Sequence, residues 1–289
     1  KFPLNAYFFV TLHNKIHTME GNKLLFVGER IVPFLPDSPM AAYGKAAPKY
    51  ISENGMEVRA LQPKFGNINE RRNQLHEVIR LSGLNIDIAN TDHPLIIKVA
   101  SLPGTRLQVY FIDNDDLFKK RGLFLDNDGN EYADNYERAI FYARSTMETC
   151  KLLHWTPCVI QCQGWFSTLV AFYLKNAYLN EENFAQSKVV LTLYGEQMNT
   201  PLPDNFAEML CFRAITKEVI DNFGMPLHTF EDLMRFSIKF ADGIICGDKD
   251  VPEDLISFAR ENQIPVMPFS EENFPQKTLE FFQSIKQSE

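Results

Sequence analysis

Short apolar segments alternate with amphipathic segments along most of the chain. Apolar runs at 23–27 and 56–61 flank a segment rich in alanine and tyrosine, which predicts a strand, a helix and a second strand. The same pattern later predicts strands at 159–162, 188–193, 242–247 and 264–267, and helices at 165–178, 205–222, 229–240, 251–262 and 276–286. Strands that alternate with helices are typical of a doubly wound, mostly parallel sheet. The predicted class is an α/β fold with a Rossmann-like sheet.

The stretch after the first two predicted strands has a shorter period. Apolar or alternating segments at 75–81, 84–89, 94–100 and 107–112 are separated by Ser82-Gly83, Asn90-Thr91-Asp92 and Pro103-Gly104. Turn residues at this spacing favour strands joined by tight connections over helices. We therefore expect an antiparallel β insertion appended to the parallel sheet.

Two acidic residues have the pattern of helix N-caps. Asp134 is followed three residues later by Glu137, as in a capping box, and an apolar face then continues to about residue 153. Asp250 stands directly before the helix predicted at 251–262. We expect both aspartates to cap their helices.

The chain shows no internal repeat, linker or low-complexity tract, which favours one domain over residues 19–289. Residues 1–18 precede Met19 and the first predicted strand, and they include an apolar stretch from Leu4 to Leu12. No small-residue cleavage site follows that stretch, which disfavours a signal peptide. We interpret residues 1–18 as an N-terminal extension outside the fold.

Composition narrows the classes of partner. A formal net charge of −8 disfavours nucleic acid. The one basic cluster, Lys119-Lys120-Arg121, follows acidic residues and is typical of a solvated turn. No apolar run reaches the roughly 18 residues that a membrane span needs, so we expect no membrane partner.

Cysteine and histidine usage points to an ordinary intracellular protein. The five cysteines include no CxxC pair, and none of the six histidines has ligand-like spacing. We therefore expect no metal and no cofactor. The same cysteine pattern is typical of a reducing compartment, so we expect a cytoplasmic location.

The loop after the first predicted strand lies where α/β sheets bind ligands. Such loops are usually rich in glycine, so that backbone N–H groups can approach a phosphate. Here the loop contains Pro36, Asp37, Ser38 and Pro39. The prolines lack N–H donors, and at ~4 Å the charge of Asp37 would cost a phosphate on the order of 4 kcal/mol. Glu29 and Arg30 lie at the same edge and can pair with each other.

Several motifs occur in a fixed order: Pro33-Phe34, Pro48-Lys49, Pro63-Lys64-Phe65-Gly66, Tyr132-Ala133-Asp134-Asn135-Tyr136-Glu137-Arg138, and Trp155 through Trp165. In this order they resemble the N-terminal half of bacterial glycogen and starch synthases, the retaining ADP-glucose transferases of glycosyltransferase family 5. The resemblance is specific from Lys23 to about Asn180. It implies the N-terminal lobe of a GT-B fold, in which a second lobe supplies much of the donor site.

The resemblance also implies where ligands would bind. It places substrate-binding candidates at Asp134, Asn135, Gln161, Gly164, Trp165 and Tyr194, and vestigial catalytic positions at Asp134, Gln163 and Phe166. The family's Lys-Thr-Gly-Gly loop is replaced by Pro36, Asp37, Ser38 and Pro39. Amides cannot serve as general acids or bases, so Gln161 and Gln163 would only bind hydroxyls. For Asp134 and Trp165, a helix cap and a core aromatic are the structural alternatives.

Three hypotheses of function follow. The first is a single-lobe family member that is catalytically impaired or inactive alone, and that binds an α-glucan or sugar nucleotide, or docks another transferase chain, in glycogen metabolism. The second is an active glycosyltransferase that is completed by a separate C-lobe or uses a different sugar nucleotide. The third is a doubly wound binding domain with an unrelated ligand.

Overall fold

The structure is a computed structural model that describes residues 22–287, with the side chain of Gln287 left out. The interpretation of residues 1–18 as an extension lies outside the described residues. The strands are β1 (Lys23–Gly28), β2 (Glu57–Pro63), β3 (His76–Glu77), β4 (Asn85–Ile88), β5 (Thr91–Pro94), β6 (Ile96–Ser101), β7 (Gln108–Asp113), β8 (Val159–Gln163), β9 (Lys188–Leu193), β10 (Gly243–Cys246) and β11 (Val266–Met267). The α-helices are α1 (Pro39–Glu53), α2 (Asn135–Leu152), α3 (Leu169–Tyr173), α4 (Phe206–Leu210), α5 (Lys217–Asp221), α6 (Phe230–Ile238), α7 (Glu253–Glu261) and α8 (Phe274–Gln287).

One large sheet organises the described residues, in the strand order β11-β10-β9-β8-β1-β2-β7-β6-β3. The strands from β11 to β7 are parallel, and β6 and β3 extend the sheet by antiparallel pairing. Central strand β1 is buried almost throughout, as expected for a parallel strand covered on both faces. The predicted α/β, doubly wound, mostly parallel sheet with an antiparallel insertion is confirmed.

Helices cover both faces of the sheet. The Gln161 side chain on β8 bonds Tyr43 of α1, whereas Tyr142 of α2 lies close to the next residue, Cys162. Because successive strand residues point to opposite faces, α1 and α2 lie on opposite sides. On the α1 side, α8 packs against α1, and the hydroxyls of Tyr43 and Thr278 are 2.8 Å apart.

The antiparallel insertion differs in detail from its predicted segments. Residues 75–81 form the two-residue strand β3 followed by a 3-10 turn (Ile79–Leu81). Strands β4 and β5 pair as a separate two-stranded sheet. The segment predicted at 107–112 forms β7, which pairs antiparallel with β6 and parallel with β2, because the chain has reversed direction by then. The insertion therefore returns the chain to the parallel sheet.

Three predictions about helices were wrong in detail. The segment 165–178 starts as a 3-10 turn (Trp165–Ser167), continues as α3 and ends in a π turn (Leu174–Tyr178). The segment 205–222 is broken between α4 and α5. Asp250 does not cap α7, whose N-cap is Pro252, because the backbone stays extended at that proline.

Asp134 occupies the N-cap position of α2, as predicted, but its side chain makes no capping hydrogen bond. Its carboxylate instead forms an ion pair with Arg121, which offers a charged partner that a backbone N–H cannot match. Glu137 does not complete a capping box, because its carboxylate contacts His93 at 3.0 Å. The predicted capping box at this helix was therefore wrong.

A fully buried arginine fastens α2 to the loop that precedes it. Arg138 donates hydrogen bonds to the carbonyls of Gly122 and Leu123, at 3.0 and 2.7 Å, and to Asn135 Oδ1 at 2.7 Å. Its guanidinium also lies over several aromatic rings, including that of Phe118 at 5.2 Å. Burial lowers the pKa of Arg138 to about 10. The three oxygen atoms that accept its hydrogen bonds stabilise the charged guanidinium. This clamp positions the loop that carries Phe124 and Leu125.

Arg138→Ala should therefore destabilise the fold strongly. The change leaves two loop carbonyls and Asn135 without a donor and opens a cavity, for which we expect a loss of about 3 kcal/mol in the free energy of unfolding. Urea unfolding measures it. The matched control is Arg260→Ala, which removes an exposed pair with Glu253 and should cost less than about 1 kcal/mol. Equal losses in the two variants would contradict the clamp.

Candidate functional site

The carboxyl ends of β1, β8 and β9 lie side by side at the centre of the sheet. Each strand end leads into a short segment that builds this edge: Glu29-Arg30 after β1, Gly164-Trp165 after β8, and Tyr194 to Gln197 after β9. In parallel sheets this edge is where ligands bind, since the connecting loops there leave an open crevice. The candidate site is therefore built on three neighbouring strand ends.

A cavity of about 750 Å³ opens at this edge, and we call it the edge cavity. Its apolar lining comes from Phe124, Leu125, Trp165, Met198 and Pro201, and its polar lining from Arg30, Asn130, Glu131, Glu196, Gln197, Asn199 and Thr200, with Gly129 between them. Leu125 is 51% exposed and forms an apolar lip. The volume falls in the range of small-molecule sites. Apolar walls with amides and few charges suit a neutral, hydroxyl-rich ligand.

Arg30, at the wall of the edge cavity, is already paired with two carboxylates. Arg30 donates from Nε to Glu29 Oε1 at 2.9 Å and from Nη2 to Glu196 Oε1 at 3.0 Å. Backbone N–H groups of Phe166 and Trp165 face the second oxygens of Glu29 and Glu196, each at 3.4 Å. The predicted pairing of Glu29 with Arg30 is confirmed. One guanidinium thus serves two carboxylates.

The two carboxylates of this cluster hold protons more tightly than free glutamates do. Burial raises the pKa of Glu29, although the charge of Arg30 and its hydrogen bond oppose the rise. Burial and then repulsion from Glu29 raise the pKa of Glu196 well above its usual range. With one cation between two carboxylates, protonating one of them leaves the cluster neutral, which is the favourable state in a buried position.

Glu131 supplies a further negative charge to the edge cavity. Its carboxylate accepts hydrogen bonds from the backbone N–H groups of Asn199 and Thr200, each at 2.8 Å. Partial burial alone would raise the pKa of Glu131, but these hydrogen bonds outweigh burial and lower it. Glu131 also fixes the loop that follows β9, because it contacts two successive residues of that loop.

Gly164 is required where β8 ends. Its φ of +80° lies in the region that disfavours side chains, and a Cβ there would stand 2.5 Å from Glu29 Oε2. The glycine thus makes room for the buried carboxylate. The space beside Gly164, a predicted substrate-binding position, is thus filled by Glu29.

A second, smaller cavity of about 350 Å³ adjoins the edge cavity and shares Glu196, Gln197 and Met198 with it. Its remaining lining includes Tyr194 and the first turns of α6 and α7. Because they share three lining residues, the two cavities are neighbours, and we call them together the crevice.

The loop at 36–39 lies outside both cavities. Pro36 and Asp37 are exposed, and Ser38 caps α1 by accepting a hydrogen bond from the N–H of Ala41 at 3.1 Å. Pro39 occupies the first turn of α1, where a missing N–H is tolerated. Ser38 is the only polar, uncharged side chain of this loop, and its hydroxyl oxygen is engaged as the cap of α1.

Of the substrate-binding candidates, Asp134 and Asn135 do not line the edge cavity. Asp134 is paired with Arg121, and Asn135 is buried, where it donates to the carbonyl of Phe124 at 2.9 Å. Both residues support the loop that carries the apolar lip of the cavity. In the structure, the contacts of Asp134 and Asn135 therefore position this loop and do not face the cavity.

Gln161 and Gln163 are fully buried. Gln161 donates to Tyr43 at 2.8 Å and to Thr192 at 2.9 Å, and Gln163 donates to the carbonyl of Met40 at 2.7 Å. The structure places them between the sheet and α1, where their amides join two layers of the fold.

The aromatic candidates have different surroundings. Trp165 lines the edge cavity but is only 3% exposed, because it packs on Phe124, Phe166 and Phe230. Phe166 is fully buried in the core. Tyr194 lines the smaller cavity, and its hydroxyl lies 3.4 Å from Gln163.

Two features bear on cofactors and membranes. Within residues 22–287, no group of three or more histidine, cysteine or acidic side chains is placed to hold a metal ion. No helix in that part of the chain is both long enough and apolar enough to cross a bilayer.

No sequence pattern indicated that Arg30 meets Glu196, or that Glu131 meets the loop after β9. These residues stand 166 and 68 positions apart along the chain. The only signal in the sequence was a charged residue directly after an apolar run. Such a residue indicates where a strand ends, but not which distant residue lies beside that end.

The described residues form a Rossmann-like α/β domain with an antiparallel insertion and a cavity at the carboxyl ends of its parallel strands. A family model described as the starch synthase catalytic domain matches residues 23–261, and the chain belongs to this family.

Curated relatives support the assignment. The glycogen synthase of Chlorobaculum tepidum is 38% identical over 221 residues, which cover 76% of this chain and 44% of that protein. The glycogen synthase of Chlorobium limicola is 35% identical over 235 residues, which cover 79% of this chain and 48% of that protein. The chain thus spans about half the length of these relatives.

Among solved structures, the catalytic domain of starch synthase IV from Arabidopsis thaliana, bound to ADP and acarbose, superposes with a TM-score of 0.67. The match covers 86% of this chain and 51% of that chain at 13% identity. At this identity the likeness shows a shared GT-B lobe fold.

Glu196→Gln tests the shared proton of the carboxylate cluster. Because the folded-state pKa values are raised, the folded protein binds more protons than the unfolded chain above the usual glutamate value of 4.5. The free energy of unfolding therefore falls as pH rises through this window, by at most about 1.4 kcal/mol per pH unit for each proton. We expect the glutamine variant to lose less stability than the wild type between about pH 5 and about pH 8.

Urea unfolding at several pH values provides the measurement. The control is Glu253→Gln, which changes an exposed carboxylate and should leave the pH profile of the wild type unchanged. Parallel profiles for wild type and Glu196→Gln would show that no proton is shared in the cluster.

Proposed function

We propose that this chain is a glucan-binding member of the starch synthase family that does not transfer glucose by itself. The observation that carries the proposal is the pairing of Arg30. It is the only cation among the described residues that line the edge cavity, and its Nε and Nη2 groups already donate to the carboxylates of Glu29 and Glu196. A neutral glucan loses nothing from this arrangement.

A sugar nucleotide would meet unfavourable charge in the same place. Its diphosphate needs positive charge and free N–H donors as it leaves. The lining of the edge cavity offers one neutralised guanidinium and the carboxylate of Glu131, whose pKa is lowered. One unpaired like charge at ~4 Å costs on the order of 4 kcal/mol, or about a thousandfold in affinity. The exposed loop at Pro36 and Asp37 adds no positive charge.

Recognition of an α-glucan fits the remaining lining. Amide side chains of Asn130, Gln197 and Asn199 offer donors and acceptors for hydroxyl groups, while the exposed side chain of Leu125 offers apolar surface for the ring. The joined crevice has room for several sugar units. We propose a regulatory or tethering role in glycogen metabolism.

None of the five cysteines forms a disulfide, which supports a location in the reducing cytoplasm.

An active transferase completed by a second lobe is the alternative. The observation that favours it is length, since the chain spans 44–48% of the glycogen synthases described above. A second lobe would have to bring the positive charge that the edge cavity lacks. This alternative predicts that the chain gains affinity for ADP-glucose when mixed with the C-terminal half of such a synthase.

Thermal unfolding with maltoheptaose, ADP-glucose and ADP tests the proposal. A ligand at 100 times its Kd stabilises the folded state by about 2.7 kcal/mol. We expect an upward shift in Tm with maltoheptaose and none with the two nucleotides. A comparable shift with ADP-glucose alone would sink the proposal and favour the transferase.

Gln197→Ala locates the glucan in the edge cavity. Gln197 is exposed and lines both parts of the crevice, so its loss should weaken maltoheptaose binding about three- to tenfold by calorimetry. Gln283→Ala, an exposed amide on α8, is the matched control and should bind as the wild type does. Equal affinity in both variants would move the glucan to another surface.

A further inference from the structure

A separate cavity of about 470 Å³ lies beside β3 and β6, the antiparallel strands at one end of the sheet, and we call it the β3 cavity. It shares no lining residue with the edge cavity. Its lining includes the polar side chains of Arg72, Asn73, Gln74, His76 and Gln108, and the apolar ring of Phe34. The volume suits a small organic ligand.

The charge of the β3 cavity is opposite to that of the edge cavity. Its lining contains no carboxylate, although the chain has a net charge of −8. The nearest acidic residue that precedes Arg72, Glu70, is held by Lys64 and Lys98 at 2.8 Å each. Glu77 follows His76 on β3, so its side chain points to the other face of the strand. No acidic group of these segments neutralises the cavity.

Arg72 is the cation with the most freedom to bind an anion there. Its side chain is exposed and forms no ion pair within the part of the chain that the structure describes. Its backbone is fixed, however, because its N–H donates to Asn69 Oδ1 at 2.8 Å. A guanidinium on an anchored turn can offer two parallel N–H donors to a phosphate.

We propose that the β3 cavity binds a phosphorylated monosaccharide, with the phosphate held by Arg72 and His76. The amides of Asn73, Gln74 and Gln108 contact the sugar hydroxyls, for which they can donate and accept. Phe34 provides the apolar wall that a sugar ring prefers to water. This site is independent of the glucan site, so either can fail without the other.

Calorimetry on the full chain tests the site with glucose 6-phosphate, glucose and inorganic phosphate as separate probes. We expect binding of glucose 6-phosphate at least about tenfold tighter than either of the other two, because each lacks one half of the contacts. Binding should weaken as salt rises, since Arg72 is exposed to screening. Equal affinity for glucose would remove the phosphate from the proposal, and equal affinity for inorganic phosphate would remove the sugar.

Two adjacent arginines provide a matched pair of variants. Arg72→Ala should weaken glucose 6-phosphate binding about tenfold or more. Arg71→Ala removes the same charge from the neighbouring exposed residue, which does not line the cavity, and should change the affinity less than about threefold. Equal losses would show a diffuse electrostatic effect and overturn the assignment. Circular dichroism and Tm confirm that both variants are folded.

A competition experiment separates the two sites. Saturating maltoheptaose should leave glucose 6-phosphate binding unchanged, because the cavities have no residue in common. Displacement by maltoheptaose would place the sugar phosphate in the edge cavity and overturn the proposal.

Discussion

A carboxylate buried at the end of the central strand sets the chemistry of the ligand edge. Glu29 is fully buried, and burial of an unpaired charge is far too costly to persist. Arg30 must therefore turn back towards it, and the strand beside it must end in a residue without a Cβ, which is Gly164. Glu196 then shares the same guanidinium from the third strand. Three strand ends are thus joined by one charge cluster.

The same cluster explains why the proposed ligand is not a dinucleotide, although the sheet is of the type that often binds one. A guanidinium at this edge could have bound a phosphate, but two carboxylates hold it in place. What remains available are amides, a tryptophan edge and an apolar lip on Leu125. Positive charge without acidic partners occurs instead near Arg72, in the cavity beside β3 and β6. The two cavities share no lining residue, so the neutral and the cationic surfaces are separate.

Local patterns predicted the strands and most of the helices, because apolar runs and turn residues act over a few positions. The contacts of polar side chains were harder to predict. Asp134 stands at the cap position that its neighbours indicate, but Arg121 takes its carboxylate. Gln161 was expected to face a sugar, and its amide instead meets Tyr43, 118 positions earlier in the chain. Such pairings depend on how the layers stack, which no short motif specifies.

The packing of α8 on α1 bears on where this domain can be divided. The family model stops at residue 261, yet Thr278 lies beyond that point and its hydroxyl meets Tyr43. Tyr43 in turn accepts from Gln161, which also bonds Thr192, so a line of hydrogen bonds runs from the last helix through the centre of the sheet. A chain expressed only to the end of the family match would lose this hydrogen bond to Thr278 and the aromatic contact of Tyr43 with Phe274. Residues beyond 261 are therefore joined to the rest of the fold by helix packing and by a buried hydrogen bond.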